Sequence, residues 1–460
     1  MSLSDSEDIF FSKSEEKLND LYAEYIELST DCYSIDVAQK LNELSRFYRD
    51  FKNPKTELKL AQKSLEIYQF LLSGDHYEIA DGLSNLGLSY RNNYEHKLEL
   101  KYLLEALRML KRLSVDDSDI LAETLMNVGL AYRNIGDHIN EIKFVSESFE
   151  MRKRVCNGEN NQHLAKSLEQ LGTAFSNLGD YKQEIKLKLE SLIMLTKLYD
   201  YDHIELAASL NSTGTAFGNI NELSNMLKYK KASLQMRQRL YGDNDHAEIA
   251  ESLYHLGLTY RKFADYIHDL EYVRKAVEMK KRILMRDDVE LAEWINNLGV
   301  SYGNNGDLKK ELDLKIEAYQ MRCRLFSGDH QEIAASLNNI GLAYRKLGDH
   351  KNELKYLLKG LDMYERLYEG DHRHKASLLN NVGIAYSNNK ENKLYLNYLI
   401  RSIDMYRRLY DGDHMELSYL LKNLSMAYGK NGDSKNELKY KVESDNMKIN
   451  VCHCEHYFYF

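Results

Sequence analysis

Three sets of side chains have the types and spacing to do chemistry. The first lies at the C-terminal end, Cys452-His-Cys-Glu-His456, followed by Tyr457-Phe-Tyr-Phe460. Thiols and imidazoles bind zinc or copper, but a structural zinc site takes four such ligands at wider spacing. No metal is expected, and the run reads as a chain end or as an aromatic cap over the last structural unit. The second set is a ladder of amides: Asn85, Asn127, Asn297, Asn339, Asn381 and Asn423. Asn296, Asn338 and Asn380, one residue earlier, thicken it. A side-chain amide carries donor and acceptor together, so it can match a peptide N–H and C=O, or satisfy neighbouring helix ends instead. The third set is a basic stripe of Arg49, Arg91, Arg133, Arg261 and Arg345, with Lys262, Lys346 and Lys430 at the next position. The planar guanidinium fork suits a partner's carboxylate or phosphate, which makes Arg91, Arg133, Arg261 and Arg345 candidates for acidic-group recognition. The competing reading is a helix C-terminus, where cations complement the dipole.

A fixed period places these residues. Glycines at 87, 129, 172, 214, 257, 299, 341 and 383 sit in similar segments, separated by 42 or 43 residues. One more step each way lands on Ser45 and Ser425, so there are ten repeats. Other offsets agree. Three residues after each anchor every position is aromatic, from Tyr48 to Tyr428; four before, every position is aliphatic, from Leu41 to Leu421. Nineteen after, every position is small.

Each repeat reads as two helices. In the repeat of Gly341, Leu337, Ile340 and Tyr344 share one helical face, and the glycine lets a neighbouring helix approach. Twelve residues before the anchor stands an acid or amide in nine repeats: Asp75, Asp117, Asn160, Asp202, Asp245, Asp287, Asp329, Asp371 and Asp413. This column is expected to cap the first helix, with Asp329 and Glu332 forming a capping box. Gly348-Asp349 is expected to stop that helix and cap the next, which runs from about Lys351 to Tyr368. Pro54 follows Asn53 where a second helix begins and its missing N–H costs nothing. Such hairpins cannot bury their apolar faces alone and must stack as a solenoid. Residues 1–34 are expected to form an N-terminal segment with a capping helix near 15–28, 35–450 the array, and 451–460 a tail. No segment interrupts the array, although Met226 and Tyr395 replace a recurrent acid and mark candidate joints near Gly214 and Gly383.

Composition excludes much else. One proline in 460 residues rules out Pro-rich linkers and loop-heavy β folds. A net charge of -9 disfavours nucleic-acid binding, which needs clustered positive charge. The acidic N-terminus is unlike a signal peptide, and no apolar run reaches the roughly 18 residues of a membrane span. Five scattered cysteines (Cys32, Cys156, Cys323, Cys452 and Cys454) suit a reducing compartment, and a cytoplasmic location is expected. Eight Asp-His pairs, including Asp75-His76, Asp245-His246 and Asp413-His414, lie too far apart along the array to converge on one ion, and capping explains them. There is no P-loop, dinucleotide fingerprint, HExxH helix or nucleophile elbow, so no enzyme, cofactor or small-molecule substrate is expected.

The repeat columns resemble tetratricopeptide repeats over about residues 38–450. The 42-residue period and the phrasing of Asp329–Ala334 and Leu337–Gly341 are similar to the repeats of kinesin light chains and nephrocystin-like proteins. The resemblance implies an all-α, right-handed α-solenoid of about ten hairpins. It also implies a concave surface lined by first helices, where the asparagines grip the backbone of a partner peptide or helix. The chain departs from the family twice. The proline usual after Asp-His is missing, and the small residue usual twelve after the anchor is an acid: Glu57, Glu99, Glu141, Glu184, Asp269, Glu311, Glu353 and Glu437. A carboxylate there must hydrogen-bond across the helix gap, since a buried charge without a partner is costly. The expected function is a non-enzymatic protein-interaction scaffold or adaptor. Its rivals are a self-associating architectural protein using its convex face, a motor-cargo adaptor lacking the heavy-chain-binding coiled coil, and a ligand switch acting through the tail.

Overall fold

A computed structural model describes residues 33–50, 53–114, 116–242, 244–410, 412 and 414–457, with side chains to residue 449 except that of residue 50. The capping helix near 15–28 and the Cys/His side chains of the tail lie outside the described residues. The described residues form twenty α-helices and no strand. They fall into two compact units, one ending at Asn244 and the other beginning at Asp245. The first holds five hairpins: α1 (Ile35–Asp50) with α2 (Pro54–Leu71), α3 (Tyr77–Asn92) with α4 (His96–Leu113), α5 (Asp119–Asn134) with α6 (His138–Val155), α7 (Gln162–Asn177) with α8 (Tyr181–Leu198), and α9 (Ile204–Asn219) with α10 (Leu223–Tyr241). The second holds five more: α11 (Ala247–Lys262) with α12 (Tyr266–Leu284), α13 (Val289–Asn304) with α14 (Leu308–Leu325), α15 (Gln331–Leu347) with α16 (His350–Leu367), α17 (Arg373–Asn388) with α18 (Asn392–Leu409), and α19 (Met415–Lys430) with α20 (Ser434–Tyr457). Within each unit a second helix packs on the first helix of the next hairpin, the architecture of a helical-repeat solenoid. The division falls directly after the repeat of Gly214, one of the two candidate joints. The last helix runs to Tyr457, past the boundary at 450 read from the sequence.

The anchor columns do what their spacing predicts. Leu337 and Ile340 are buried. A Cβ on Gly341 would stand 2.7 Å from Leu357 Cγ and 3.3 Å from the Glu353 carbonyl oxygen, so only glycine allows this approach of α15 to α16. At the outermost repeats the serine anchors use the same proximity: Ser45 and Ser425 donate to the carbonyls of Glu57 and Glu437 at 3.0 and 2.8 Å. Gly348 has φ +78°, and Asp349 Oδ1 accepts from Asn352 N at 3.0 Å, so the turn is built as expected. Asn53 likewise caps α2, with Pro54 in its first turn.

Among the described residues the column twelve before the anchor does not cap. The first-helix cap is the next residue. His203, His246 and His330 accept a backbone N–H through Nδ1, while Ser118, Asn161 and Asp288 accept through oxygen. No capping box involves Asp329. The aspartates instead clasp an arginine at the far end of the same hairpin. Seven such pairs are present among the described residues: Asp75–Arg112, Asp117–Arg154, Asp202–Arg239, Asp245–Arg282, Asp287–Arg324, Asp329–Arg366 and Asp371–Arg408. Arg282 is bidentate on Asp245, at 2.6 and 2.8 Å. Bidentate pairing outcompetes a cap that the neighbouring residue can supply. In the first hairpin the equivalent positions hold Tyr33 and Phe70, whose rings meet at 5.6 Å.

Candidate binding face of the first helices

The acid column twelve after each anchor is the polar spine of the array. Glu57, Glu99, Glu141, Glu184, Asp269, Glu311 and Glu353 are all at most 1% exposed. Each is tied to the first helix of its own hairpin, to that of the next, or to a lysine one turn along. Glu99 accepts from Arg91 Nε at 2.6 Å, His96 Nδ1 at 3.1 Å and the Asn134 amide at 3.0 Å. Glu353 is held by Arg345, by His350 at 2.9 Å and by Asn388 at 3.1 Å. Glu311, whose hairpin lacks the arginine, takes Lys315 at 2.7 Å and Lys346 at 2.9 Å. In that hairpin glycine stands in the arginine's place: a Cβ on Gly303 would collide with the Glu311 carboxylate. Burial raises the Asp269 carboxyl above its usual range, against the opposing pull of Arg261 at 3.0 Å. Burial likewise lowers the Lys315 ammonium.

The candidate arginines are therefore held by carboxylates inside the fold. Arg91, Arg133, Arg261 and Arg345 bind Glu99, Glu141, Asp269 and Glu353. Their remaining N–H groups reach the next first helix, donating to the backbone carbonyls of Asn127, Gln170, Asn297 and Asn381 at 3.0–3.4 Å. The structure thus joins the arginine stripe to the amide ladder. It does so by structural bonds that leave these guanidinium groups engaged without any partner's acid. Tyr395 does the same job where both acid and arginine are absent, its hydroxyl donating to the Asn423 carbonyl at 3.1 Å. Met226, at the other departure, packs buried against Gly218.

The amides run between hairpins. Asn339, Asn381 and Asn423 donate to Asn296, Asn338 and Asn380 of the preceding repeat at 3.3, 2.9 and 3.0 Å. Asn297 donates to the Tyr254 hydroxyl at 2.8 Å, and Asn85, nearly buried, donates to Asn42 at 2.6 Å. All except Asn42 and Asn85 are half-buried, on the edge of the first-helix surface. Two hollows open on that surface in the first unit. A cleft of about 590 Å³ is lined by Arg46, Glu78, Asp81, Asn85, Glu123 and Asn127 among others, from α1, α3 and α5. A pocket of about 270 Å³ lies over α7 and α9 and includes Lys166, Glu169, Leu195, Glu205, Ser209 and Ser212. Sequence reasoning missed Glu169. Its signal was the one acid in the column that holds Asn296, Asn338 and Asn380.

No group of three or more His, Cys, Asp or Glu side chains is arranged to hold a metal ion among the described residues. No helix among them is long and apolar enough to cross a membrane.

Paired helices, glycine-mediated contacts and polar columns repeated hairpin by hairpin define a helical-repeat protein. Part of the array matches the tetratricopeptide repeat family. That family matches residues 290–366 and 332–393 in one form and 79–118, 249–290 and 376–415 in another. Comparison with curated protein sequences returned no match. Among solved structures, the apo form of RapI is similar, with a TM-score of 0.54 and 15% identity over 82% of this chain and 99% of that one. The apo quorum sensor NprR from B. thuringiensis gives 0.50 and 15% over 78% and 99%. A putative kinesin light chain from Podosopora anserina with nearly identical TPR-like repeats gives 0.40 and 14% over 45% and 98%. For RapI and NprR the likeness, at such identities, is one of fold.

Proposed function

We infer that the chain is a non-enzymatic interaction scaffold that holds a partner's peptide or helix along its first-helix face. The observation carrying this reading is the cleft over α1, α3 and α5, where side chains of three successive first helices converge and Asn85 and Asn127 reach the wall. The asparagines beyond it suit the same task. Each bonded amide of Asn339, Asn381 and Asn423 has a second N–H and remaining oxygen lone pairs, the complement of an extended peptide backbone. The arginines serve this face indirectly, by fixing each first helix to the next, and acidic-group recognition is not part of the reading. Within either unit a tandem array gains from this geometry, because each added repeat contributes another contact to a ligand bound there.

The test is affinity capture from cell extract with wild type and with Asn297/Asn339/Asn381→Ala, comparing recovered proteins by mass spectrometry. A partner lost selectively from the variant, with helicity unchanged, supports the face. Identical partner sets place the interaction elsewhere on the protein.

A further inference from the structure

Three residues before the anchor, five repeats carry an amide and one carries an acid. Where other repeats carry Asn296, Asn338 or Asn380, α7 carries Glu169. Ser209 and Ser212, both from α9, donate to its two carboxylate oxygens at 2.7 Å each. The carboxylate lines the pocket of about 270 Å³, whose walls include the aliphatic side chains of Leu195 and Ala208. Glu205 lines the same pocket, and its carboxylate is fixed by Gln162 and by the Tyr199 hydroxyl at 3.1 Å. Lys166 is the cation of the lining, and Lys188, the nearest buried ammonium, is bonded to Glu184 at 2.9 Å.

A carboxylate offers about four acceptor directions, and the serines occupy two. Burial raises the Glu169 carboxyl above its usual range, so the ionised form gains from a cation placed beside it. A long side chain that buries its methylenes and ends in a charged donor matches an apolar wall leading to a carboxylate. The larger cleft in the same unit has the same sign. There Arg46 pairs with Asp81, and Arg49 is taken by Glu57 at 2.7 Å, leaving Glu78 and Glu123 as the acids of the lining.

We propose that this pocket is a subsite for a lysine or arginine side chain of a basic polypeptide segment, with Glu169 receiving the charged head, Ser209 and Ser212 orienting the carboxylate, and Leu195 and Ala208 covering the stem. The inference rests on the first-helix face being the binding face and specifies the chemistry of its partner. Selectivity for a basic segment follows from the excess of carboxylates over cations in both hollows, since a like-charged peptide is repelled there.

Fluorescence anisotropy of labelled (Arg-Ala)6, (Ser-Ala)6 and (Glu-Ala)6 peptides with the full chain tests it. The expected result is binding of (Arg-Ala)6 alone, weakened about tenfold by Glu169→Gln and unchanged by Glu105→Gln, an exposed acid on α4. Equal loss in both variants means attraction to net charge and overturns the subsite, as does binding unaffected by Glu169→Gln. Arginine amide that binds as tightly as the peptide overturns the polypeptide assignment. Binding of (Ser-Ala)6 or (Glu-Ala)6 in preference overturns the basic partner while leaving the binding face itself standing. Absence of binding by all three overturns the subsite, and the capture experiment then decides the face separately. Circular dichroism confirms that Glu169→Gln keeps its helices.

Discussion

The side-chain amide of Asn388 donates to the carboxylate of Glu353 at 3.1 Å, across thirty-five residues of chain and from one hairpin to the next. With Arg345 on the same carboxylate, one buried acid ties α15, α16 and α17 together. Breaking a buried pair from one side leaves the other charge without compensation and costs about 3–5 kcal/mol. Glu353→Ala is expected to destabilise by that amount. Asn388→Ala removes one hydrogen bond to a charged group and is expected to cost less, about 1.5–3 kcal/mol. Repeat arrays unfold in parts, so hydrogen exchange is the right readout. The loss of protection is expected to centre on α15–α17.

Two glycines seven residues apart, Gly341 and Gly348, fail for different reasons when replaced. Gly341→Ala drives a methyl to 2.7 Å from Leu357 Cγ, an overpacking expected to cost about 1–3 kcal/mol. Gly348→Ala meets no neighbouring atom and bears only the left-handed backbone, about 1–2 kcal/mol. The chain itself carries Tyr94, Asn221, Ala264 and Lys390 at positive φ in the equivalent turns. Gly348→Asn is therefore expected to be milder still in thermal unfolding, and a larger loss there than at Gly341 would contradict the packing account.

The hairpin clasps respond to acid. Hydrogen bonding from Arg366 holds the Asp329 carboxyl below its usual range, and six other clasps behave alike. A carboxyl lowered in the folded state adds stability above its unfolded pKa, about 3.9, and loses it as pH falls through the folded value. Thermal unfolding of wild type is expected to weaken below about pH 4. An Asp329→Asn, Asp371→Asn variant is expected to lose less over that window than wild type. The opposite ranking would show that the clasps carry no linkage.

Trp294 is the single tryptophan, 3% exposed, stacked on Tyr254 at 4.3 Å between ring centres with Lys280 Nζ 4.1 Å above it. Its emission is expected to be blue-shifted and shielded from acrylamide in the native protein, and to report unfolding of the second unit. Red-shifted, freely quenched emission would contradict the packing of α11, α12 and α13.

Much of this was readable from periodicity. Gly341, Leu337 and Tyr344 sit in columns because every hairpin needs the same close approach, and Gly348-Asp349 obeys a local turn rule. What escaped depended on distant pairs. Asp329 and His330 can both cap α15, and the choice is made by Arg366, thirty-seven residues later. The arginine stripe looked available for a ligand because its carboxylates lie on a different helix, and Glu353 looked unexplained for the same reason. Glu169 went unnoticed because its column is mixed, and three asparagines drew the reading away from its one acid. Its meaning required Ser209 and Ser212, which belong to the following repeat.

The central claim is that the first-helix asparagines hold a peptide. Selection of a random twelve-residue peptide library on immobilised wild type, followed by titration of the selected peptides against Asn297/Asn339/Asn381→Ala, tests it most directly. The account predicts affinities at least tenfold weaker in the variant, from the loss of about 1.5 kcal/mol or more in hydrogen bonds. Selected peptides that bind wild type and variant equally would contradict it and return the amides to a purely structural role between hairpins.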